Sequence, residues 1–496
     1  MVKRAGGALL NAIAFDPNSP RTLNAQLASA LRQAILDRAL LPGERLPATR
    51  VLAADLSISR STVVEAFEQL VSEGLIETMV GSGSFVSKLS GALPKADAQP
   101  QPELTRVAQP ERLARLMDTA REQFASRIAH SPRAFTTAMP AYDAFPMAQW
   151  ARLVSKHWHG DRATKLGYND PLGHPPLREA IARHLRGARG VSCDASQVFV
   201  VAGAQQAFQL IASTLVDPGE AVWFENPGAI GARNCFVIHG ARVVPVPVDG
   251  NGIRVNDGLV AAPDFRLVFT TPSHQQPLGA KMSQERRIAL LSAAADAGAF
   301  VIEDDWDGEF CLSGRPHPAL KAIDSGDRVI YVGTFSKSMF PALRLGYIVA
   351  PRSLVATFEV ALRAYLPGVP TSLQAAVAAF IDEGHFAAHV RRMCRLYGER
   401  LEVMLSAGGA QLSRWLDIQP TTMGLHTIAW LRQGLNGEVV ARAAAADNLT
   451  VSPISRFCMT PHSAEGLVLG FSGVSNARIE EGVGKLATVL RAVEAQ

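Results

Sequence analysis

From about residue 130 to the C-terminus, short apolar runs alternate with Ala/Leu-rich stretches of helical type. Val198–Ala202, Ala221–Phe224, Leu267–Thr270, Phe300–Glu303 and Val329–Val332 are the clearest of these runs. Strands alternating with helices signal an α/β domain built on a parallel sheet, because each parallel pair needs a crossover between its strands. No internal repeat breaks the pattern. The whole chain has 496 residues, too many for one ordinary domain, so two or three are expected. Residues 1–19 read as a tail and 20–88 as a small regular domain. Residues 89–125, with Ser90-Gly91-Ala92-Leu93-Pro94 and Gln99-Pro100-Gln101-Pro102, read as a linker. Residues 126–496 form the large domain.

The small domain has a compact grammar. Leu23, Leu27, Leu31 and Ile35 recur at i, i+4 and give one apolar helix stripe. Leu41-Pro42-Gly43 ends it. Arg50–Asp55 is a short second helix, Ser57-Ile58 a turn, and Ser59 the N-cap of a third helix that buries Val63, Phe67 and Leu70 and stops at Gly74. Ile76–Val80 and Ser84–Lys88 then make two strands around Gly81-Ser82-Gly83. Helix, helix-turn-helix and hairpin together describe an α+β winged helix-turn-helix. Its third helix presents Ser59, Arg60, Ser61 and Thr62 at the end that reads a major groove. Charge adds nothing to this reading, since residues 20–88 hold seven Lys/Arg and seven Asp/Glu.

In the large domain, Lys337 lies in Thr334-Phe335-Ser336-Lys337-Ser338, just past a strand, 33 residues after Asp304 and seven before Arg344. A lysine so placed, flanked by hydroxyls and followed by an arginine, suits an aldehyde cofactor that carries a phosphate. Lys337 forms the Schiff base; Thr334, Ser336 and Arg344 hold the phosphate; Asp304 keeps a pyridine nitrogen protonated. That set describes pyridoxal phosphate. Gly203-Ala204-Gln205 follows a strand and opens a helix, where free amides favour a phosphate and a glycine permits close approach. Alone, that tripeptide is an ordinary turn. For Lys337 the bland alternative is a surface lysine. Of the six lysines in the large domain, Lys337 has the Ser-Lys-Ser setting and the partners.

Two resemblances carry the reading further. Arg45-Leu46-Pro47-Ala48-Thr49-Arg50-Val51-Leu52-Ala53, Ser59-Arg60-Ser61-Thr62-Val63 and Glu73-Gly74-Leu75 resemble the GntR superfamily of bacterial transcription regulators. This implies Arg50 and Arg60 on phosphates or bases, and a wing of Ser82 and Gly83 near the minor groove. Tyr168-Asn169-Asp170-Pro171-Leu172-Gly173, Ala202-Gly203-Ala204-Gln205-Gln206-Ala207, Glu225-Asn226-Pro227-Gly228, Thr271-Pro272-Ser273-His274-Gln275 and Glu303-Asp304-Asp305-Trp306-Asp307, in that order before the lysine block, resemble fold-type I aminotransferases that use pyridoxal phosphate. The whole chain is similar to the MocR subfamily of GntR regulators. The resemblance implies a homodimer with the cofactor near the interface, and Tyr168 reaching the partner subunit's phosphate.

The chain departs from that pattern at four places. Ala229 stands where the family has an aromatic residue stacked on the ring. Trp306, which can only donate, stands where a tyrosine bonds the phenolic oxygen. Gln276 replaces an aromatic residue or asparagine before Pro277. Val468 replaces the arginine that grips a substrate carboxylate before Leu469-Gly470-Phe471; Arg456 is a candidate substitute. A carboxylate buried without its cation is costly, which speaks against general transamination and for a retuned pocket that senses an amine, another amino compound or the cofactor itself.

Composition excludes other classes. Five scattered cysteines without a Cys-x-x-Cys pair read as reduced thiols, neither a disulfide frame nor a metal site. No apolar run is long enough for a bilayer. The expected protein is a cytoplasmic, pyridoxal-phosphate-dependent transcription regulator with operator DNA and a small amine as partners. Two other readings stay open: an active aminotransferase with an accessory DNA-binding domain, against which Val468 speaks, and a regulator whose large domain has lost its cofactor and only dimerises, which Ala229 and Trp306 keep alive.

Overall fold

The computed structural model describes residues 13, 15–17, 19–79, 82–88, 114–126, 131–159, 167–314, 317–365, 368–432 and 434–495. Most of the expected tail, the wing residues Val80 and Gly81, and residues 89–113 of the expected linker lie outside these. The chain divides into two compact units, residues 1–111 and 112–496.

Among the described residues the first unit has three helices and a hairpin. Helix α1, Leu23–Leu36, buries Leu27, Ala28, Leu31 and Ile35. Leu23, expected on the same stripe, is exposed instead, because it opens the helix at the rim of the core. Helix α2 is Thr49–Asp55 and helix α3 is Arg60–Ser72. The Ser59 hydroxyl caps α3 by accepting the Thr62 amide at 3.1 Å, so one orphan donor of the first turn is satisfied. Val63, Ala66, Phe67 and Leu70 of α3 complete the core with α1. Gly74 ends the helix at φ 72°, and strands β1, Ile76–Met79, and β2, Gly83–Val86, pair antiparallel with Glu77 opposite Phe85.

The second unit is built on eight strands: β3 Val198–Val201, β4 Ala221–Asn226, β5 Arg242–Asp249, β6 Gly252–Ile253, β7 Leu267–Thr270, β8 Phe300–Asp305, β9 Val329–Thr334 and β10 Gly346–Val349. Their order in the sheet is β3-β10-β9-β8-β7-β4-β5-β6. The five strands from β9 to β5 in that order are parallel. Strand β10 is antiparallel to both β9 and β3, so the sheet is mixed rather than wholly parallel. The cause is length. Only residues 335–345 separate β9 from β10, too few for a parallel crossover. Helices cover both faces, and successive residues serve opposite cores: Phe199 and Val201 face one side, Val198 and Val200 the other.

A smaller antiparallel sheet follows, β11 Leu416–Ile418, β12 His426–Leu431, β13 Ser452–Pro453 and β14 Gly466–Gly470, in the order β11-β12-β14-β13. Gly470 passes so close to the Thr136 carbonyl that a Cβ there would lie 2.0 Å from it. The C-terminal part of the expected linker is structured: helix α4, Arg115–Gln123, precedes Ala125, whose amide and carbonyl exchange bonds of 3.1 and 2.8 Å with the Asn234 side chain. Among the described residues no helix is long and apolar enough to cross a membrane.

The cap on α3 generates a stability prediction. Ser59→Ala is expected to remove about 1 kcal/mol from the first unit, read as a lower melting temperature for that unit's transition in the full chain with the large unit's transition unmoved.

Candidate functional site

The first unit gathers its candidate DNA contacts at one end of α3. Arg60 and Ser61 are exposed on the first turn, and Arg50 is exposed on α2. Ser59 spends its hydroxyl on the cap and lies 2.7 Å from the Ser61 Oγ and 2.9 Å from the Thr62 Oγ1. Ser82 and Gly83 are exposed at the hairpin end, Gly83 with φ 105°. The guanidinium of Arg45 lies against Gly83, 3.3 Å from where a Cβ would stand. Arg32, by contrast, is engaged: its Nε donates to Glu73 at 2.8 Å. Among the described residues Arg45, Arg50 and Arg60 have no acidic partner, as groups meant for phosphates require.

The second site follows from the sheet. Parallel strands bring Asn226, Thr270, Asp304–Asp305 and Thr334 to the same edge, where open α/β sheets bind ligands. Thr334 caps the one-turn helix Phe335–Ser338 by accepting the Ser336 amide at 3.2 Å. Lys337 on that turn is half-buried, and its Nζ donates to the Ala138 carbonyl at 2.8 Å. Burial pushes its pKa down to about 8 against the pull of Asp307 and Asp304.

Asp304 is buried, and its Oδ1 has no hydrogen-bond partner among the described residues. Burial, then the charges of Asp305, Asp307 and Glu225, drive its pKa well above the usual carboxylate range, while Lys337 pulls the other way. Asp305, next in the chain, is treated differently. Arg189 grips it with two bonds, Nε–Oδ2 at 2.7 Å and Nη2–Oδ1 at 2.9 Å, and also donates to the Ser273 Oγ at 2.7 Å. The Tyr331 hydroxyl donates to the same carboxylate.

The remaining expected residues are placed as follows. Gly203 is the N-cap of helix α5, Ala204–Leu215, with φ 83°, and a Cβ there would meet nothing within 4 Å. The amides of Ala204 and Gln205 open the first turn of that helix, at its positive end. The Gln205 side chain turns away and donates to the Gly231 carbonyl at 2.7 Å, so it offers this opening only its main chain. Gly346 backs the turn closely, a Cβ on it falling 3.0 Å from the Gly203 Cα. Ser336 is half-buried, and Arg344 is exposed in the left-handed region at φ 52°. Gln276 is half-buried, and its side-chain amide makes no hydrogen bond among the described residues. Tyr168 is fully exposed. Trp306 gives its N–H to the His274 carbonyl at 3.2 Å and stacks with His274 and His426. Its one donor is already committed inside the protein, so it does not stand in for a tyrosine hydroxyl. His274 in turn bonds Asp307 through Nδ1 at 2.8 Å.

These residues fit pyridoxal phosphate. The orphaned Asp304 Oδ1 suits a protonated ring nitrogen, the open ground over Gly203 with the α5 amides suits a phosphate, and Lys337 supplies a buried amine. Val468 offers nothing to a carboxylate: it is buried in an apolar cluster with Ile230, Ile428, Ile454 and Phe457. Arg189 escaped the sequence reading because no motif marks a residue brought from a helix end to Asp305 across 116 positions.

Comparison with known proteins agrees with both units. Residues 23–86 match the gntR family of bacterial regulatory proteins, and residues 139–413 match the aminotransferase class I and II family. The chain is similar to the probable rhizopine catabolism regulatory protein MocR of Rhizobium meliloti, 38% identical over 97% of this chain and 96% of that one. It is 30% identical to the pyridoxine biosynthesis transcriptional regulator PdxR of Corynebacterium glutamicum, over 92% and 94% of the two chains. Among solved structures it resembles the α-aminoadipate aminotransferase LysN of Thermus thermophilus, complexed with N-(5'-phosphopyridoxyl)-L-leucine, at a TM-score of 0.67 and 26% identity over 74% of this chain and 96% of that one.

Two outcomes are expected from this geometry. Arg189→Met leaves Asp305 buried without its cation and should destabilise the large unit by roughly 3–5 kcal/mol, seen as an earlier denaturant midpoint followed by tryptophan fluorescence. Capture of added pyridoxal phosphate by cofactor-free protein should accelerate as pH rises through about 8 and then level off, because the neutral amine is the nucleophile. Stopped-flow absorbance measures it, and a rate still climbing steeply at pH 10 would contradict the assignment.

Proposed function

The chain belongs to the MocR subfamily of GntR-type transcription regulators, a DNA-binding winged helix-turn-helix joined to an aminotransferase-like domain for pyridoxal phosphate, and from that membership we propose how its parts divide the work. Residues 20–88 bind an operator, with Arg60, Ser61 and Thr62 at the bases and Arg50, Ser82 and Gly83 at the backbone and minor groove. Residues 126–496 hold the cofactor and sense an amine, an amino compound or the cofactor itself. The protein works in the cytoplasm as a homodimer, in which the exposed Tyr168 meets the partner's cofactor phosphate.

The single observation that carries this reading is the buried Asp304 carboxylate, whose Oδ1 has no hydrogen-bond partner among the described residues, beside the Lys337 amine. A protein that had abandoned the cofactor would have no reason to keep a desolvated, unsatisfied acid. Bound pyridoxal phosphate supplies an aldehyde for amines and an electron-withdrawing ring. The chain's own residues supply the rest: Asp304 holds the ring nitrogen and its proton, Ser336, Arg344 and the Ala204 and Gln205 amides hold the phosphate, and Gln276 stands at the ring edge. Val468 removes the grip on an α-carboxylate, which favours sensing over turnover. A difference in effector affinity between two dimer arrangements then sets operator affinity.

The test pairs a spectrum with a binding titration. Purified protein with added pyridoxal phosphate should show a visible band that borohydride fixes covalently to Lys337, and Lys337→Ala should lack it. Arg60→Ala should keep the band and the fold yet lose operator binding in a gel-shift titration. No band in wild type, or rapid turnover of an amino donor with a keto acid, would overturn the reading.

A further inference from the structure

Beside Ser273, the residue that Arg189 bonds, the large unit holds a small cavity of about 90 Å³ whose walls include Ser273, His274, Lys281, His317, Thr421 and Thr422. Lys281 and His317 also line a larger cavity of about 340 Å³, together with the apolar Met282, Pro318 and Ile323. These two side chains stand at the boundary of both cavities, and the Lys281 Nζ meets the His317 Nε2. Among the described residues no acidic side chain lines either cavity, and neither does any residue assigned to the cofactor.

The charges gathered here are positive. Burial and then the Arg287 charge lower the pKa of Lys281, against a weaker pull from the Cys311 thiol. Burial, followed by Lys281, Arg287 and Arg189, lowers that of His317. Arg287 is buried and donates to the carbonyls of Met282, Pro318 and Pro272. Glu303, the acid that acts on it, is occupied by the Leu320 and Lys321 amides. A second observation comes from the cavity floor. His274 is 2% exposed, and its Nε2 has no hydrogen-bond partner among the described residues. That atom faces Gly279, where a Cβ would lie 3.2 Å from it, and Gly279 lines the same small cavity. A buried ring nitrogen left unpaired is costly unless a ligand or a water meets it. The opposite wall is held in place by the bridge between Cys311 and Met423 and by the Leu312 amide, which donates to the Thr422 carbonyl at 2.8 Å. The pocket is therefore preformed, which lowers the ordering cost of binding.

We propose that the small cavity is a second anion site, and that it takes a phosphate group, free or at the end of a monoester whose remainder lies in the larger cavity. Lys281 supplies the charge. Ser273 accepts from Arg189 at 2.7 Å and keeps its own proton to donate. His274 decides between anions. Its Nδ1 bonds the Asp307 carboxylate at 2.8 Å, and a carboxylate only accepts, so the ring proton is fixed there and Nε2 is an acceptor. A phosphate monoester, with a second pKa of about 6, can bring an O–H to that nitrogen; sulfate carries none at neutral pH. The four oxygens of a phosphate are also enough to reach groups that come from three separate segments, 273–281, 317 and 421–422. The site stands independently of what the cofactor domain senses.

The test is a calorimetric titration of cofactor-loaded, full-length protein in phosphate-free buffer, with the cofactor's own phosphate occupying the site over Gly203. Inorganic phosphate, glycerol 3-phosphate and sulfate are the probes. The phosphate probes should bind at one site per chain, and sulfate more weakly. A hydrogen bond to a charged group corresponds to about 10-fold in affinity. Lys281→Met should weaken the phosphate probes by about that factor, and Lys281→Arg, which keeps the charge, should recover most of the loss. Tighter binding of glycerol 3-phosphate than of inorganic phosphate identifies a monoester as the ligand; equal or weaker binding identifies free phosphate. If neither phosphate probe binds, if Lys281→Met binds them as wild type does, or if sulfate binds as tightly as phosphate, the assignment is wrong. Should the protein not retain its cofactor, the same Lys281→Met comparison decides the question in unloaded protein, since Lys281 is not a residue of the site over Gly203.

Discussion

Two carboxylates side by side at a strand end cannot both lie buried and charged without help. The end of β8 solves this by giving them different surroundings. Arg189 neutralises Asp305 through a bidentate pair and ties it to Ser273 and the following loop. Asp304 gets no such partner. Its carboxyl is therefore available to a ligand, and the burial and then the repulsion from Asp305 and Asp307 that raise its pKa are offset when a cationic ring nitrogen sits against it. The pair and the orphan are one arrangement: without the first, the second would face a full negative charge next door in a dry site, where Coulomb effects are strongest.

The same economy runs along the sheet edge. Glu225 at the end of β4 accepts from Thr270, Thr271 and Gln275, and Glu303 accepts the amides of Leu320 and Lys321 at 2.7 and 2.8 Å. Both acids organise loops and are saturated in doing so. The geometry thus separates these two structural acids from Asp304, although all three lie in similar short apolar strands. Polar groups that are buried and satisfied stiffen the edge; Asp304, whose Oδ1 has no partner among the described residues, is the acid beside Lys337.

Much of this was legible in the chain. The apolar runs became β3, β4, β7, β8 and β9, and the order of motifs named both families. Ser59 was readable as a cap because capping is local chemistry. What escaped reading was set by distance in sequence or by the length of a connection. The antiparallel turn of β10 follows from an eleven-residue return, residues 335–345, that motif reading treated as ligand-binding sequence. Arg189 carries no signal of its own, since its meaning depends on Asp305, an acid 116 positions away. Trp306 was legible as a substitution but not as a donor already committed to the His274 carbonyl.

Helix α4 and the pair of hydrogen bonds between Ala125 and Asn234 bear on a scale larger than the pocket. Residues 114–125, which composition assigns to the linker, belong to the fold of the large unit. An insertion there therefore disturbs that unit's own packing, where an insertion in a mere spacer would leave it intact.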